Sequence, residues 1–195
     1  MKKSKSIKQI TTFLLLLFPV IAFSQEMKKW YIPDFVKAHF AGSMGLISLG
    51  TGFTYANYKF ETDLFICYLP KKYGFEYPVT LTVKQTYLPY TYNNKTLRVI
   101  PFQIGLFINT TFEDRFFTRA TSRYPSGYYW WSENIRLNVF IGSRIGFKGN
   151  RILNKLDLLV EFNTNELYLT YFFLNREARL EDVFSFSMGM KYSFF

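Results

Sequence analysis

The chain has 195 residues, a net charge of +10 and 21% aromatic residues. The aromatic share excludes a disordered chain, and the length indicates one domain. A single cysteine, Cys67, excludes an intrachain disulfide, and one cysteine with one histidine, His39, cannot build a zinc cluster. Glycine-rich phosphate loops are absent from the sequence. We therefore expect neither a metal nor a cofactor.

The first 24 residues have the pattern of a secretory signal peptide. Four lysines precede an apolar run at 10–23, and the small residue Ser24 marks the expected cleavage site. The run is too short to span a bilayer and contains Pro19. We predict a signal peptide at 1–24 and a mature domain at 25–195. Export, and the modest basicity left after cleavage, argue against nucleic acid as a partner.

The mature chain alternates apolar and polar residues with a period of two. In one such stretch Val79, Leu81 and Val83 share a face, and threonine or lysine occupies the other. This period is typical of β-strands with one apolar face. We predict eight strands, at 34–43, 46–57, 60–69, 78–92, 97–112, 134–148, 155–173 and 183–195.

The composition of the two faces and the lengths of the connections predict a membrane barrel. Glycine, serine and charged residues crowd one face, which suits a narrow lumen, and large apolar residues on the other face suit lipid. Short turns near 57–59, 92–95 and 149–151 alternate with connections at 70–77, 113–133 and 175–182 that are longer, the first connection at 42–45 being short. We predict an all-β fold, a single eight-stranded antiparallel transmembrane β-barrel with up-and-down meander topology.

The leader, the alternation, the difference between the rims and the last six residues, Met-Lys-Tyr-Ser-Phe-Phe, resemble the small eight-stranded outer-membrane β-barrels of Gram-negative bacteria. These are barrels of the OmpA, OmpX and lipid A deacylase type. The resemblance implies an outer-membrane location, contact with lipid and lipopolysaccharide, and recognition by the barrel-assembly machinery. Tyr192, Phe194 and Phe195 are then the assembly signal. Phe195 falls outside the usual register, which leaves open which phenylalanine the assembly machinery recognises.

Charged residues fall on the inner face of the predicted strands. Four are carboxylates and four are cations: Glu61, Asp63, Lys84, Arg136, Arg144, Asp157, Glu161 and Lys191. Isolated buried charges cost several kcal/mol each, so these side chains are expected to pair. We predict an ion-pair network that fills the barrel. The alternative is a polar pathway or gate, which would make the protein a small channel.

His39 is the only histidine, so a serine or cysteine hydrolase built on this chain would have to use it. A short first hairpin would place it near Ser48, and a base beside a hydroxyl is the minimum for acyl transfer. Lipid A deacylase barrels carry histidine and serine two positions apart, whereas Ala41 stands two residues after His39. His39 and Ser48 are therefore weak catalytic candidates.

The connection at 113–133 is long and rich in arginine and aromatic residues. The residues of interest are Arg115, Arg119, Arg123, Tyr124, Tyr128, Tyr129, Trp130 and Trp131. Three interpretations stay open: an aromatic girdle at the membrane interface, arginines that bind lipopolysaccharide phosphates, or a loop that docks an envelope protein.

The function predicted from these patterns is a structural or loop-mediated interaction role for an outer-membrane barrel, without catalysis. The first alternative is an acyl hydrolase that modifies lipid A or phospholipid, and the second is a small channel. Because one barrel fold supports many activities, the choice among the three depends on the residues of the lumen and the loops.

Overall fold

A computed structural model describes residues 31–70, 79–111, 135–174 and 179–194. The strands lie in one compact unit, Pro33–Phe195. Nine strands are described: β1 Phe35–Ala41, β2 Ile47–Tyr55, β3 Phe60–Tyr68, β4 Val79–Tyr87, β5 Tyr92–Asn93, β6 Leu97–Thr111, β7 Ile135–Phe147, β8 Leu156–Asn165 and β9 Ser185–Ser193. Two helices follow β8, α1 Glu166–Leu174 and α2 Leu180–Val183, and one 3-10 turn, Leu153–Lys155, precedes it.

Eight of the strands close into a barrel. Each pairs antiparallel with its neighbours in chain order, and β1 pairs with β9 to complete the ring. The two-residue β5 pairs only with the start of β6, so β4 pairs directly with β6. The prediction of an all-β, up-and-down antiparallel barrel of eight strands is confirmed.

The alternation of each strand divides it between the lumen and the outer surface. In β3, Asp63, Phe65 and Cys67 are buried inside the barrel, while Leu64 and Ile66 are exposed on its outside. The period of two places alternate side chains on opposite faces of a strand. The same division recurs along the other barrel strands and sets charged residues inside.

A bulge in β6 accommodates Pro101, which has no backbone N–H to donate to a ladder. The pairing of β6 with β7 shifts register between Ile100 and Gln103, and Pro101 and Phe102 both lie exposed. Proline inside a sheet is confined to edges and bulges for this reason. Beyond the bulge the alternation resumes with Gln103 buried in the lumen.

The two ends of the barrel differ. At the turn end, where β1 begins and β9 ends, the connections are 56–59, 88–96 and 148–155. The opposite end, called the loop end here, carries the hairpin 42–46 and the segment 166–184 with both helices. The long connections predicted at 70–77 and 113–133 lie almost wholly outside the described residues.

The predicted strands extend beyond the observed ones, by one to four residues in six cases and by more in two. The strand predicted at 155–173 ends at Asn165, whose side-chain oxygen accepts a hydrogen bond of 2.9 Å from the backbone N–H of Tyr168 and so caps α1. The strand predicted at 78–92 ends at Tyr87, and Pro89, which has no N–H to donate to a ladder, follows two residues later. No helix within the described ranges is long and apolar enough to cross a membrane.

Candidate functional site

Glu61, on β3, is the centre of the charged lumen. Its carboxylate accepts hydrogen bonds from Lys37 at 2.8 Å, from Arg144 through two nitrogens at 2.8 and 2.9 Å, and from Lys191. All four side chains are almost completely buried. Three cations from β1, β7 and β9 thus converge on one carboxylate, and a two-bond guanidinium contact is among the strongest that a carboxylate forms.

A second group of contacts joins this centre to the opposite side of the lumen. Lys84 donates to Glu161 at 2.5 Å, and Gln103 donates to the other oxygen of Glu161 at 2.9 Å. The Gln103 carbonyl oxygen accepts from Arg144 at 3.0 Å. Asp63 shares Lys37 with Glu61, at 2.9 Å. Gln103 therefore links the Glu161 pair to the Glu61 cluster, and the whole set is one network.

Aromatic rings cover the lysines of the network. The Lys84 nitrogen lies 3.9 Å from the centroid of the Phe140 ring, and the Lys191 and Lys37 nitrogens lie 4.1 and 4.7 Å from that of Phe35. A desolvated ammonium gains about 2 kcal/mol from such a contact. A buried cluster of Met44, Phe65, Cys67, Phe107 and Phe140 packs in the same lumen. Charged and apolar side chains together fill it.

The hairpin 42–46 folds inward and covers the lumen at the loop end. The Ser43 N–H and hydroxyl both donate to the Asn163 side-chain oxygen, at 2.7 and 2.6 Å. The Ser43 and Met44 carbonyls accept from Asn109 and Thr80. Gly42 permits the turn, because its φ of +86° disfavours any other residue. Met44, only 1% exposed, is thereby held inside the barrel.

The predicted lumen residues divide into a central group and two outlying pairs. Glu61, Asp63, Lys84, Arg144, Glu161 and Lys191 belong to the central network described above. Asp157 instead pairs with Arg98 at 2.5 Å near the turn end. Arg136 pairs with Glu166 at 3.2 Å at the loop end, where both side chains are partly exposed.

The prediction omitted two members of the central network. Lys37 lies two residues before His39, so the alternation already placed it on the inner face, and its charge was the signal available. The alternation did not identify Gln103 as inward-facing, because the bulge at Pro101 reverses its phase along β6. A simple period of two cannot detect such a reversal.

His39 and Ser48 are cross-strand partners in the register of β1 and β2, and both are buried. Both nitrogens of His39 lack a hydrogen-bond partner among the described residues, and so does the Ser48 hydroxyl. The ring packs edge-on against Phe65 at 5.2 Å, and Nδ1 lies 3.8 Å from Glu161. A hydrolytic pair needs a hydrogen bond from nucleophile to base and access for substrate. This arrangement provides no such bond.

The other predicted sites lie largely outside the described residues. This holds for Arg115, Arg119, Arg123, Tyr124, Tyr128, Tyr129, Trp130, Trp131 and Phe195. Tyr192 is at the end of β9, and its ring contacts that of Phe194 edge to face, with centroids 6.0 Å apart. Their roles in loop interaction and assembly stay predictions.

The outer surface of the barrel is a belt of exposed apolar side chains. Leu49 is 62% exposed and Ile66 is 61% exposed, although both lie in the middle of strands. Every barrel strand contributes to the belt. Its members include Val36, Phe40, Leu49, Phe53, Leu64, Ile66, Val83, Ile104, Leu106, Val139, Ile141, Leu158, Val160, Phe162, Phe186, Met188 and Met190.

These observations define the protein as a closed eight-stranded antiparallel β-barrel with a filled, charged interior and an apolar exterior. No group of three histidine, cysteine, aspartate or glutamate side chains among the described residues could hold a metal ion. Comparison with known proteins adds no closer assignment: no family model, curated protein or solved structure matches the chain.

Proposed function

We propose that this protein is an integral β-barrel of a bacterial outer membrane with a structural and loop-mediated interaction role. The observation that carries the proposal is the inverted polarity of the barrel, with charges buried inside and large apolar side chains exposed outside. Monomeric soluble proteins rarely expose contiguous apolar patches of more than a few hundred Å². In a bilayer the same surface lies in its preferred solvent.

The filled lumen favours a non-conducting barrel over a small channel. Eight strands enclose little more than their own side chains. Here Lys84, Gln103, Arg144 and Glu161 bond to one another across the interior, and Met44 closes the loop end. Ions would have to break paired charges that are already desolvated.

The surroundings of His39 favour a barrel without hydrolytic activity. Inside the lumen the ring packs edge-on against Phe65, and a Cβ at Gly189 would lie only 3.2 Å from its Cδ2 atom. A hydrolase acting on lipid would need its base at an opening to the bilayer. The buried position of His39 supports the non-enzymatic role.

Folding into synthetic vesicles tests the membrane part of the proposal. We expect the mature chain to fold from urea into phosphatidylcholine vesicles, to resist carbonate extraction and to show β-sheet circular dichroism. Planar bilayers containing the folded protein should show no conductance steps. Failure to insert would refute the membrane assignment, and regular conductance steps would refute the closed barrel in favour of the channel.

The aromatic and arginine residues at 113–133 support the interaction role, and deleting this segment tests it. We expect a variant with 115–131 replaced by a short Gly-Ser turn to fold and insert normally. In cells that make the protein naturally, cross-linking from position Tyr128 should capture an envelope protein, and that protein should co-purify with the full-length barrel and not with the loopless variant. Cross-links to lipopolysaccharide alone would contradict a protein partner.

A further inference from the structure

A depression at the turn end of the barrel is lined by three cations. Lys95, Arg98 and Lys148 surround it, together with Gly149 and Asn154, and its volume is about 490 Å³. Lys95 comes from the connection 88–96, Arg98 from β6, and the other three residues from the connection 148–155. Two neighbouring connections therefore form one cationic depression.

Backbone and side-chain hydrogen bonds fix the two connections that form it. The Lys148 N–H donates to Thr96 O at 2.7 Å, which joins the connections to each other. The Gly149 N–H donates to the Asn154 side-chain oxygen at 2.8 Å, which leaves the amide nitrogen of Asn154 as its remaining polar group. The depression is thus built by short, internally bonded turns.

An ion pair with Asp157 of β8 fixes the position of Arg98. One of its nitrogens donates to Asp157 at 2.5 Å, and the side chain stays 30% exposed. Gly146 makes this possible, because a Cβ there would lie 2.1 Å from the Asp157 oxygen and 3.0 Å from Arg98. Asp157 neutralises one of the three cations, and the depression keeps a net positive charge.

Basic side chains outnumber acidic ones across the described turn end, not only in the depression. The described turn-end segments carry five basic side chains, Lys59, Lys95, Lys148, Arg151 and Lys155, beside the single acidic Asp34. Outward-facing Tyr92 and Phe147 lie next to the depression in the strand register, opposite Val99 and Leu97. Both aromatic side chains are exposed and adjoin the apolar belt.

We propose that this depression binds the phosphate group of an anionic phospholipid whose acyl chains lie along the adjoining belt. Arginine and lysine recognise phosphate by charge-assisted hydrogen bonds, and Arg98 offers a preoriented guanidinium. The net positive charge selects anionic over zwitterionic headgroups, and the neighbouring aromatic residues match the interfacial depth of a headgroup. The inference rests on the membrane location proposed above.

Lipid titration into the detergent-folded barrel tests the site, with bound lipid counted by native mass spectrometry. We expect phosphatidylglycerol to bind in preference to phosphatidylcholine. Removing two cations near a lipid headgroup should weaken that binding about 30-fold in the variant K95Q/K148Q. The matched control, K59Q/R151Q, removes two charges from the same end outside the depression and should change the affinity less than about threefold.

Equal weakening in both variants would show diffuse attraction and overturn the site, as would binding without preference for phosphatidylglycerol. Competition by inorganic phosphate distinguishes the sources of the ligand. Phosphatidylglycerol should stay bound, whereas displacement at matched concentration would assign a soluble phosphate and overturn the lipid. Because the titration is done in detergent, a barrel that inserts into vesicles but binds no lipid refutes only this inference. Failure to insert refutes the membrane location instead.

Discussion

Arg144 and Glu61 form a two-bond ion pair, with distances of 2.8 and 2.9 Å, that joins β7 to β3 across the inside of the barrel. The two strands are three places apart in the ring, so no backbone ladder connects them directly. Lys37 and Lys191 contact the same carboxylate from β1 and β9. One side chain therefore holds four of the eight barrel strands together.

Replacing Glu61 by glutamine should strongly destabilise the barrel. The substitution keeps the size of the side chain but leaves Lys37, Arg144 and Lys191 buried without their shared counter-charge. Breaking a buried ion pair from one side costs about 3–5 kcal/mol. Urea unfolding of the barrel in detergent micelles measures the change in the free energy of unfolding.

Glu166→Gln is the matched control for this substitution. Glu166 pairs with Arg136 at the loop end, where both side chains are partly exposed. Pairs of this kind contribute about 0–1 kcal/mol. Equal losses in the two variants would contradict a network centred on Glu61 and would indicate that the lumen is open to water.

Gly50 should be intolerant of even a methyl group. A Cβ at this position would lie 2.4 Å from Cδ1 of Phe65, which is completely buried. Gly50→Ala must therefore displace Phe65 and is expected to cost about 1–3 kcal/mol. Gly149→Ala is the control, because its nearest neighbour would be 3.6 Å away, and its free energy of unfolding should change by less than about 0.5 kcal/mol. A harmless Gly50→Ala would contradict the tight packing of the lumen.

Much of the fold was predictable from the sequence because one local rule governs it. Each barrel strand lies between lipid-like and lumen-like surroundings, so a period of two in polarity recurs eight times. The rule fails where another local preference competes with it. The apolar run 166–174 has no polar alternation to mark a strand, and Asn165 supplies a helix cap instead.

The interior was predictable only as a set of charged residues. Alternation indicates which side chains point inward, but pairing across the lumen depends on the stagger of the strands, which no local pattern encodes. Glu61 and Arg144 are far apart in the chain and meet only through closure of the ring. Arg136 has the same inward phase, yet it lies at the rim and meets Glu166.

His39→Leu should leave the stability of the barrel unchanged or raise it by about 1 kcal/mol. Both ring nitrogens lack a partner among the described residues, and an unsatisfied buried polar group is costly. Ser48→Ala is the parallel case, because the Ser48 hydroxyl is also unpaired. A loss above about 2 kcal/mol would reveal a polar contact of His39, with Glu161 at 3.8 Å the nearest candidate. The same variant also tests for catalysis. Lipid A from cells that express His39→Leu should have the same mass as lipid A from cells that express the parent protein, and a difference in acyl content would support the hydrolase alternative.

Leu49→Lys separates a membrane barrel from a soluble one by the sign of its effect. Leu49 lies mid-strand on the outside of β2 and is 62% exposed, beside Ile66 on the next strand. In a bilayer, a lysine at this depth should lower the free energy of unfolding in vesicles by about 2–4 kcal/mol. Ile152→Lys is the control, because Ile152 is similarly exposed but lies in the connection 148–155 at the turn end, where we expect a change below about 1 kcal/mol. In water, both lysines would be harmless and would improve solubility. An unchanged stability for Leu49→Lys in vesicles would therefore refute contact between the apolar belt and lipid.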